Sequence, residues 1–98
     1  MQNTLENNQL HLSIVVPLFN EAESLPELHE WIKRVVAEAK LTYEVLFVDD
    51  GSKDGSWLVI EELAAQDPHV RGFRFQRNYG KSAALQKGFE EAQGKVVI

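Results

Sequence analysis

Residues 44–56, EVLFVDDGSKDGS, constrain the fold of this chain more than any other segment. A mostly apolar run leads directly into two adjacent carboxylates, Asp49 and Asp50, and a Gly-Ser turn follows them. A buried strand that carries acids to its carboxyl end, with a tight turn after it, is how open α/β sheets build ligand sites. Because neighbouring carboxylates repel each other, the pair needs a cation, a donor-rich ligand or good solvation.

The rest of the chain predicts an α/β fold around this strand. Apolar runs alternate with segments of helical periodicity, which is typical of a Rossmann-like parallel sheet in three layers with the order β-α-β-α-β-α-β. The predicted strands are residues 12–16, 44–48, 70–75 and 95–98, and Pro17 is expected to end the first of them. The predicted helices start at caps formed by Ser24, Ser56 and Ser82.

The helices carry further local signals. Ser24 and Glu27 have the spacing of a capping box, in which Ser24 caps the helix and Glu27 reaches back. Gly94 is a natural C-cap for the third helix. The residues expected to face inward in the second and third helices include Leu58, Leu63 and Ala64, and then Leu85, Phe89 and Ala92.

Composition limits the class of protein. Ninety-eight residues make one small domain or part of one, with residues 1–10 as a flexible tail and residues 11–98 as the folded part. The chain has no cysteine, which excludes disulfides and thiolate sites, and its net charge of −5 argues against nucleic acid as a partner. No apolar run approaches the roughly 18 residues that cross a bilayer, and no signal peptide is visible, so a soluble chain is expected.

Three predicted strands end in residues that suit a ligand site. Asn20 and Glu21 follow the first strand, where they could instead be a turn residue and a solvated helix-start acid. Asp49 and Asp50 follow the second. One aspartate is readily explained by an Asx-turn, whereas two favour a functional role for Asp50.

The third strand is followed by a basic loop, residues 76–85, QRNYGKSAAL. Lys81 and the free amides at the start of the next helix would attract a phosphate, although a flexible connector whose bases pair with surface acids would look similar. Acids suit the donor groups of a base or ribose, and a cation at a helix start suits a pyrophosphate. The three strand ends together therefore predict a nucleoside diphosphate ligand. The dinucleotide fingerprint G-x-G-x-x-G and the P-loop are both absent, and the histidines show no metal-ligand spacing.

At these residues the chain resembles the family 2 glycosyltransferases, which have the GT-A nucleotide-sugar fold. The matching segments are residues 13–25, SIVVPLFNEAESL, residues 44–56, and residues 77–98, RNYGKSAALQKGFEEAQGKVVI. Their order and spacing cover nearly all of the chain beyond the tail. The third segment looks most like the branch that transfers sugars to polyprenyl or dolichyl phosphates.

The resemblance implies roles for single residues. The residues that would bind the nucleotide are Pro17, Leu18, Phe19, Glu21, Asp49, Asp50, Arg77 and Lys81. The first three would line the base pocket, and Glu21 would approach the ribose or the pyrophosphate. Asp50 would accept a hydrogen bond from the base while Asp49 supports the turn. Lys81, with Arg77, would face the diphosphate.

The resemblance also implies what lies outside this chain. In the family, a metal-binding D-x-D motif directly follows the fourth strand, and the catalytic base lies further on. The chain is thus expected to be the N-terminal part of a larger domain that ends before that motif, with no catalytic residue, no metal ligand and no activity of its own.

For the full-length enzyme the resemblance implies a UDP- or GDP-sugar donor, Mg²⁺ or Mn²⁺, and a lipid-phosphate or glycan acceptor. It would lie in the cytoplasm or on the cytoplasmic face of a membrane. In this chain alone, exposed elements would permit a homodimer.

Two other classes stay open at this point. A receiver-like signalling domain also places paired aspartates at a strand end, but after its first strand, where this chain has Pro17. A non-catalytic nucleotide-binding module would share the three strand-end motifs.

Overall fold

The computed structural model describes residues 10–98, so the predicted tail lies outside the described residues except for Leu10. Strands and helices alternate along the chain. The strands are β1 (Leu12–Leu18), β2 (Tyr43–Asp49), β3 (Val70–Arg74) and β4 (Val96–Val97), and the helices are α1 (Leu25–Ala39), α2 (Ser56–Gln66) and α3 (Lys81–Glu91). The α/β class and the element order predicted from the sequence are confirmed.

The strands form one parallel sheet in the order β3-β2-β1-β4. Strand β2 lies at its centre, and residues 45–48 are fully buried. Complete burial of an apolar side chain of this size stabilises a fold by about 1.5–3 kcal/mol. This explains why the strand reads as a continuous apolar run rather than an alternating one.

Helices cover both faces of the sheet. Val45 and Phe47 of β2 belong to a core that includes residues of α1 and α2, such as Ile32 and Ile60. Helix α3 packs against β1 and β2 on the opposite face, where Gly88 lies against Val15. Successive side chains of a strand point to opposite faces, so β2 contributes to both layers.

The sequence predicted that Pro17 ends the first strand, and this prediction is wrong. Strand β1 continues to Leu18, and Pro17 pairs in register with Val48. The amide of Val15 donates to the carbonyl oxygen of Ile98, 2.7 Å away, on the β4 side. Position 17 faces that same side, where no strand pairs with it among the described residues, so a residue without an N–H fits there.

The predicted capping box is also wrong. Ser24 is the N-cap of α1, but its side chain caps no amide. Its hydroxyl instead donates to Oε1 of Glu21, 2.9 Å away, and no bond from Glu27 back to Ser24 is present. A local contact with Glu21 in the preceding loop has replaced the predicted capping box.

The outward and inward faces of α2 and α3 differ from the prediction at two large residues. Leu58 is 65% exposed and Phe89 is 53% exposed, whereas Ala84 and Gly88 are the buried residues of α3. Small residues face the sheet, which lets the helix lie close to β1. The caps also differ, since Gly55 and Gly80 precede α2 and α3 and Ala92 follows α3, rather than Ser56, Ser82 and Gly94.

A buried polar cluster lies at the amino ends of β1 and β2. Glu44 Oε2 accepts from the hydroxyl of Ser13 at 2.6 Å and from the amide of Gln93 at 2.7 Å, while Oε1 accepts from Arg71 at 3.0 Å. Burial raises the pKa of Glu44, but these hydrogen bonds and the charge of Arg71 outweigh it, so the pKa lies below its usual value. The cluster ties the start of β4 to the centre of the sheet.

Within residues 10–98, no helix combines the length and the apolar character needed to cross a membrane.

Candidate functional site

The carboxyl ends of β1, β2 and β3 lie in line. Leu18 is in register with Asp49, and Asp49 is in register with Arg74. Two backbone hydrogen bonds of 2.9 Å extend this pairing beyond the strands. The amide of Asp50 donates to the carbonyl oxygen of Leu18, and the amide of Phe75 donates to the carbonyl oxygen of Asp49. This register brings together loop 1 (residues 19–24), loop 2 (residues 50–55) and loop 3 (residues 75–80).

A pocket of about 250 Å³ opens among these strand ends. Its walls combine apolar atoms of β1, two carboxylates and one cation. The lining residues are Pro17, Leu18, Phe19, Glu21, Asp50 and Lys81. All six are among the eight residues for which the sequence predicted nucleotide binding, although they come from three separate segments of the chain.

The pocket offers different chemistry on different sides. The ring of Phe19 is 42% exposed, and Glu21 and Lys81 are exposed as well, so a ligand could reach all three. Lys81 is the first residue of α3, where free amides and the helix dipole favour an anion. An apolar ring, an acid and a cation at a helix start therefore surround one space.

Asp50 has a structural role in addition to its place in the pocket wall. It is only 5% exposed, and its Oδ1 accepts from the amide of Tyr79 at 2.8 Å. Its Oδ2 accepts from the amide of Gly80 at 3.1 Å. These charge-assisted bonds hold loop 3 against loop 2. Because a carboxylate offers about four acceptor positions, Asp50 keeps capacity for a ligand donor.

Two predicted residues, Asp49 and Arg77, are not part of the pocket wall. Asp49 is fully buried, and its Oδ1 accepts from the amide of Ser52 at 2.8 Å, which is the Asx-type turn contact considered for one of the two acids. The guanidinium of Arg77 lies over the ring of Tyr79, 4.9 Å from its centre. Asp49 thus lies beneath the site, and Arg77 contacts its own loop.

Loop 2 and Ser56, the first residue of α2, also hold loop 1 through side chains for which the sequence indicated no such role. The amides of Asn20, Glu21 and Ala22 donate to side-chain oxygens of Ser52, Ser56 and Asp54, respectively. The signal available in the sequence was the density of Ser, Asp and Asn around two turns, which favours side-chain to backbone bonds but does not name the partners.

Among residues 10–98, no group of three His, Asp or Glu side chains could hold a metal ion. The arrangement instead suits an organic anion with a flat apolar part, which would place its negative groups near Lys81 and its N–H or O–H donors near Asp50 and Glu21.

Known sequences include relatives that match most of this chain. The chain is 46% identical over 91 residues to an undecaprenyl-phosphate 4-deoxy-4-formamido-L-arabinose transferase of Pseudomonas fluorescens, with 89% of this chain and 26% of the relative covered. It is 38% identical over 89 residues to a bactoprenol glucosyl transferase of Shigella phage SfV, with 91% of this chain and 29% of the relative covered. The chain thus spans about a quarter of the length of these curated relatives.

Solved structures share the fold. A mannosyltransferase from Pyrobaculum calidifontis, PcManGT, in complex with GDP-Man and Mn²⁺ superposes with a TM-score of 0.68 at 25% identity, covering 91% of this chain and 26% of that one. Staphylococcus aureus TarS superposes with a TM-score of 0.73 at 22% identity, covering 91% and 27%. The family model described as Glycosyl transferase family 2 matches residues 13–98. The chain therefore belongs to glycosyl transferase family 2.

Proposed function

We propose that this chain forms the donor-nucleotide pocket of a glycosyltransferase that moves a sugar from a nucleoside diphosphate to a polyprenyl phosphate. The observation that carries the proposal is that Phe19, Asp50 and Lys81 line one and the same pocket. A nucleoside diphosphate has a flat base, N–H and O–H donors, and a double anion, and the three side chains offer a matching partner for each.

The roles follow from position and charge. Pro17 and Phe19 present apolar surface to the base. Asp50 accepts a hydrogen bond from a base N–H with the capacity that loop 3 leaves free. Glu21 accepts from a ribose hydroxyl. Lys81, at the first turn of α3, neutralises the diphosphate.

The donor is assigned as a UDP- or GDP-sugar, and the pocket does not separate the two bases. The mannosyltransferase PcManGT holds GDP-Man with Mn²⁺, which supports a nucleotide sugar and a divalent metal for the whole enzyme. A metal supplies charge stabilisation to the departing diphosphate. Among residues 10–98 no group of three or more His, Asp or Glu side chains could hold such an ion, so we assign no metal ligand among them.

The acceptor is assigned as a polyprenyl phosphate at the cytoplasmic face of a membrane. The names of an undecaprenyl-phosphate sugar transferase and a bactoprenol glucosyl transferase support this acceptor, whereas the cytoplasmic face is only what the family resemblance implies. An oxygen of the acceptor phosphate attacks the anomeric carbon, and the bond from that carbon to the nucleoside diphosphate breaks. Membership of glycosyl transferase family 2 disfavours a receiver-like domain. Homodimerisation of this chain stays a prediction.

Titration of the isotopically labelled chain with UDP and GDP, followed by NMR, tests the pocket. We expect chemical-shift changes in loops 1, 2 and 3 and a dissociation constant for at least one nucleotide. Asp50→Ala should weaken binding about tenfold or more, because it removes an acceptor and releases loop 3. Asp50→Asn, which keeps one acceptor oxygen, should lose less.

The matched control is Glu62→Ala, which removes an exposed acid of α2. It changes the net charge as Asp50→Ala does, but it should leave the dissociation constant unchanged. Equal affinities for wild type and Asp50→Ala would contradict the role of Asp50. No binding of UDP or GDP by the wild-type chain would contradict the pocket assignment itself.

A further inference from the structure

Loop 1, which carries Phe19 and Glu21 into the pocket, is held by a set of hydrogen bonds to loop 2 and the start of α2. We call the four residues that make these bonds through their side chains the interloop clasp. They are Asn20, Ser52, Asp54 and Ser56. Apart from Asn20, they do not belong to the loop that they hold.

Three consecutive amides of loop 1 donate across the gap. The amide of Asn20 donates to Ser52 Oγ at 2.7 Å, and the amide of Glu21 donates to Ser56 Oγ at 2.9 Å. The amide of Ala22 donates to Asp54 Oδ2 at 3.3 Å. The path of loop 1 is therefore fixed residue by residue.

Loop 1 also accepts hydrogen bonds from loop 2, through the side chain of Asn20. Its Oδ1 accepts from the amide of Lys53 at 2.9 Å and from the amide of Asp54 at 3.4 Å. Its backbone has φ 55°, in the left-handed region that asparagine tolerates better than most residues. Asn20 thus closes the clasp from both sides while it turns the chain.

Ser56 fixes the orientation of the clasp at its buried end. Its side chain is fully buried, and its hydroxyl accepts from Glu21 while it donates to Asp54 Oδ1 at 2.6 Å. The hydroxyl of Ser56 lowers the pKa of Asp54, so the acceptor of the Ala22 amide is a carboxylate at neutral pH. Loop 1 is therefore anchored to a group that the fold holds in one orientation.

Asn20 lies in the chain between two pocket residues, Phe19 and Glu21, but does not line the pocket itself. We propose that Asn20 is a positioning residue that, through the interloop clasp, sets the placement of Phe19 and Glu21 for the base and ribose. The inference rests on the proposed function. All of these bonds lie within the protein, so they can order loop 1 without a ligand, which would reduce the entropic cost of binding.

Two substitutions separate the acceptor from the backbone conformation. Asn20→Gly accepts φ 55° but has no side-chain oxygen, whereas Asn20→Asp keeps both an acceptor and tolerance of that conformation. We expect Asn20→Gly to weaken UDP or GDP binding by about tenfold, from two lost hydrogen bonds. Asn20→Asp should recover most of the affinity.

Hydrogen exchange supplies a readout that does not depend on the ligand. The amides of Glu21 and Ala22 should lose protection in Asn20→Gly and keep it in Asn20→Asp. The amides of Tyr79 and Gly80, which bond to Asp50 rather than to the clasp, should exchange as in wild type in both variants. A general loss of stability would accelerate all four.

A second variant, Ser52→Ala, tests the clasp from loop 2 if Asn20→Gly does not fold. It removes the acceptor of the Asn20 amide and should also weaken nucleotide binding, whereas Ser52→Thr keeps the hydroxyl and should bind as wild type. Wild-type affinity or wild-type exchange at Glu21 in Asn20→Gly would overturn the positioning role. If the wild-type chain binds neither nucleotide, the proposed function fails, and this role fails with it.

Discussion

At the scale of single residues, Gly51 shows how little freedom loop 2 has. Its φ is +77°, and an added Cβ would lie 2.3 Å from the carbonyl carbon of Arg77 and 2.5 Å from the amide nitrogen of Asn78. The obstacle is backbone, which cannot rotate away as a side chain could. Glycine is required here both for its conformation and for the close passage of loop 3.

Gly51→Ala should therefore destabilise the protein by about 3 kcal/mol or more, from a strained conformation and a backbone clash. Gly55 is the matched control, because its φ is −83° and nothing lies within 4 Å of an added Cβ. Gly55→Ala should change stability by less than about 1 kcal/mol, the usual scale of an N-cap effect. Urea denaturation of both variants measures the difference, and equal effects would contradict this account.

The sequence was sufficient to select the pocket residues but not their partners. Asp50 and Lys81 follow predicted strands closely enough for the parallel-sheet rule to place them at the common edge, whereas Phe19 was implied by the family resemblance. The bonds from Asp50 to Tyr79 and Gly80 join positions about 30 residues apart, so no local pattern reports them. The clasp bonds to Ser52 and Ser56 also join positions far apart in the sequence, so no local pattern reports them either.

At the scale of elements, α3 lies close to the sheet because the residues on its inner face are small. Ala84 is fully buried, and a Cβ on Gly88 would lie 2.2 Å from Cγ1 of Val15. Periodicity favoured Leu85 and Phe89 as the inner face, since hydrophobicity was the signal used. Close packing overrode that preference at Phe89, which is 53% exposed, while Leu85 stays half-buried. The space beneath the helix, rather than apolar character, decides which face turns inward.

Gly88→Ala should destabilise the protein by about 1–2 kcal/mol, because overpacking outweighs the roughly 1 kcal/mol gain in helix propensity. Val15→Ala removes the obstructing methyl groups and should be destabilising alone through lost burial. The double variant should be more stable than the sum of the two single effects by about 1 kcal/mol. A double-mutant cycle from urea unfolding measures this coupling, and strict additivity would contradict direct contact.

At the scale of the whole molecule, the two ends of the sheet have different tasks. The carboxyl ends hold the pocket, whereas the amino ends hold the buried cluster around Glu44 and a second acid, Asp67, whose Oδ2 lies 2.8 Å from His29 Nε2. Burial raises the pKa of Asp67, but bonds from His69 and His29 outweigh it and lower the net value. Both acids therefore stabilise the fold in their charged forms.

This arrangement predicts the direction of acid sensitivity. The folded-state pKa of Glu44 lies below its ordinary value of 4.5. Its contribution to stability is therefore complete above that value and is lost as the pH falls through the folded-state pKa. Glu44→Gln should be much less stable than wild type at pH 7, and the gap should narrow below pH about 4.5.

Urea midpoints at pH 7, 5 and 4 would measure that gap. Glu62→Gln serves as the control, because its exposed side chain should leave the stability at pH 7 nearly unchanged. A gap for Glu44→Gln that is constant from pH 7 to the acid range would contradict a charged, hydrogen-bonded Glu44.

Pro17 has a consequence for the ligand as well as for the strand. The sheet order β3-β2-β1-β4 turns back at β1, and in open α/β sheets the crevice at such a reversal takes the ligand. At that point Pro17 gives the β4 side of β1 a methylene surface in place of a hydrogen-bond donor. The two neighbouring strands can therefore diverge there without leaving an amide unsatisfied. Pro17 therefore contributes apolar surface to the pocket without adding a backbone donor that would need a partner.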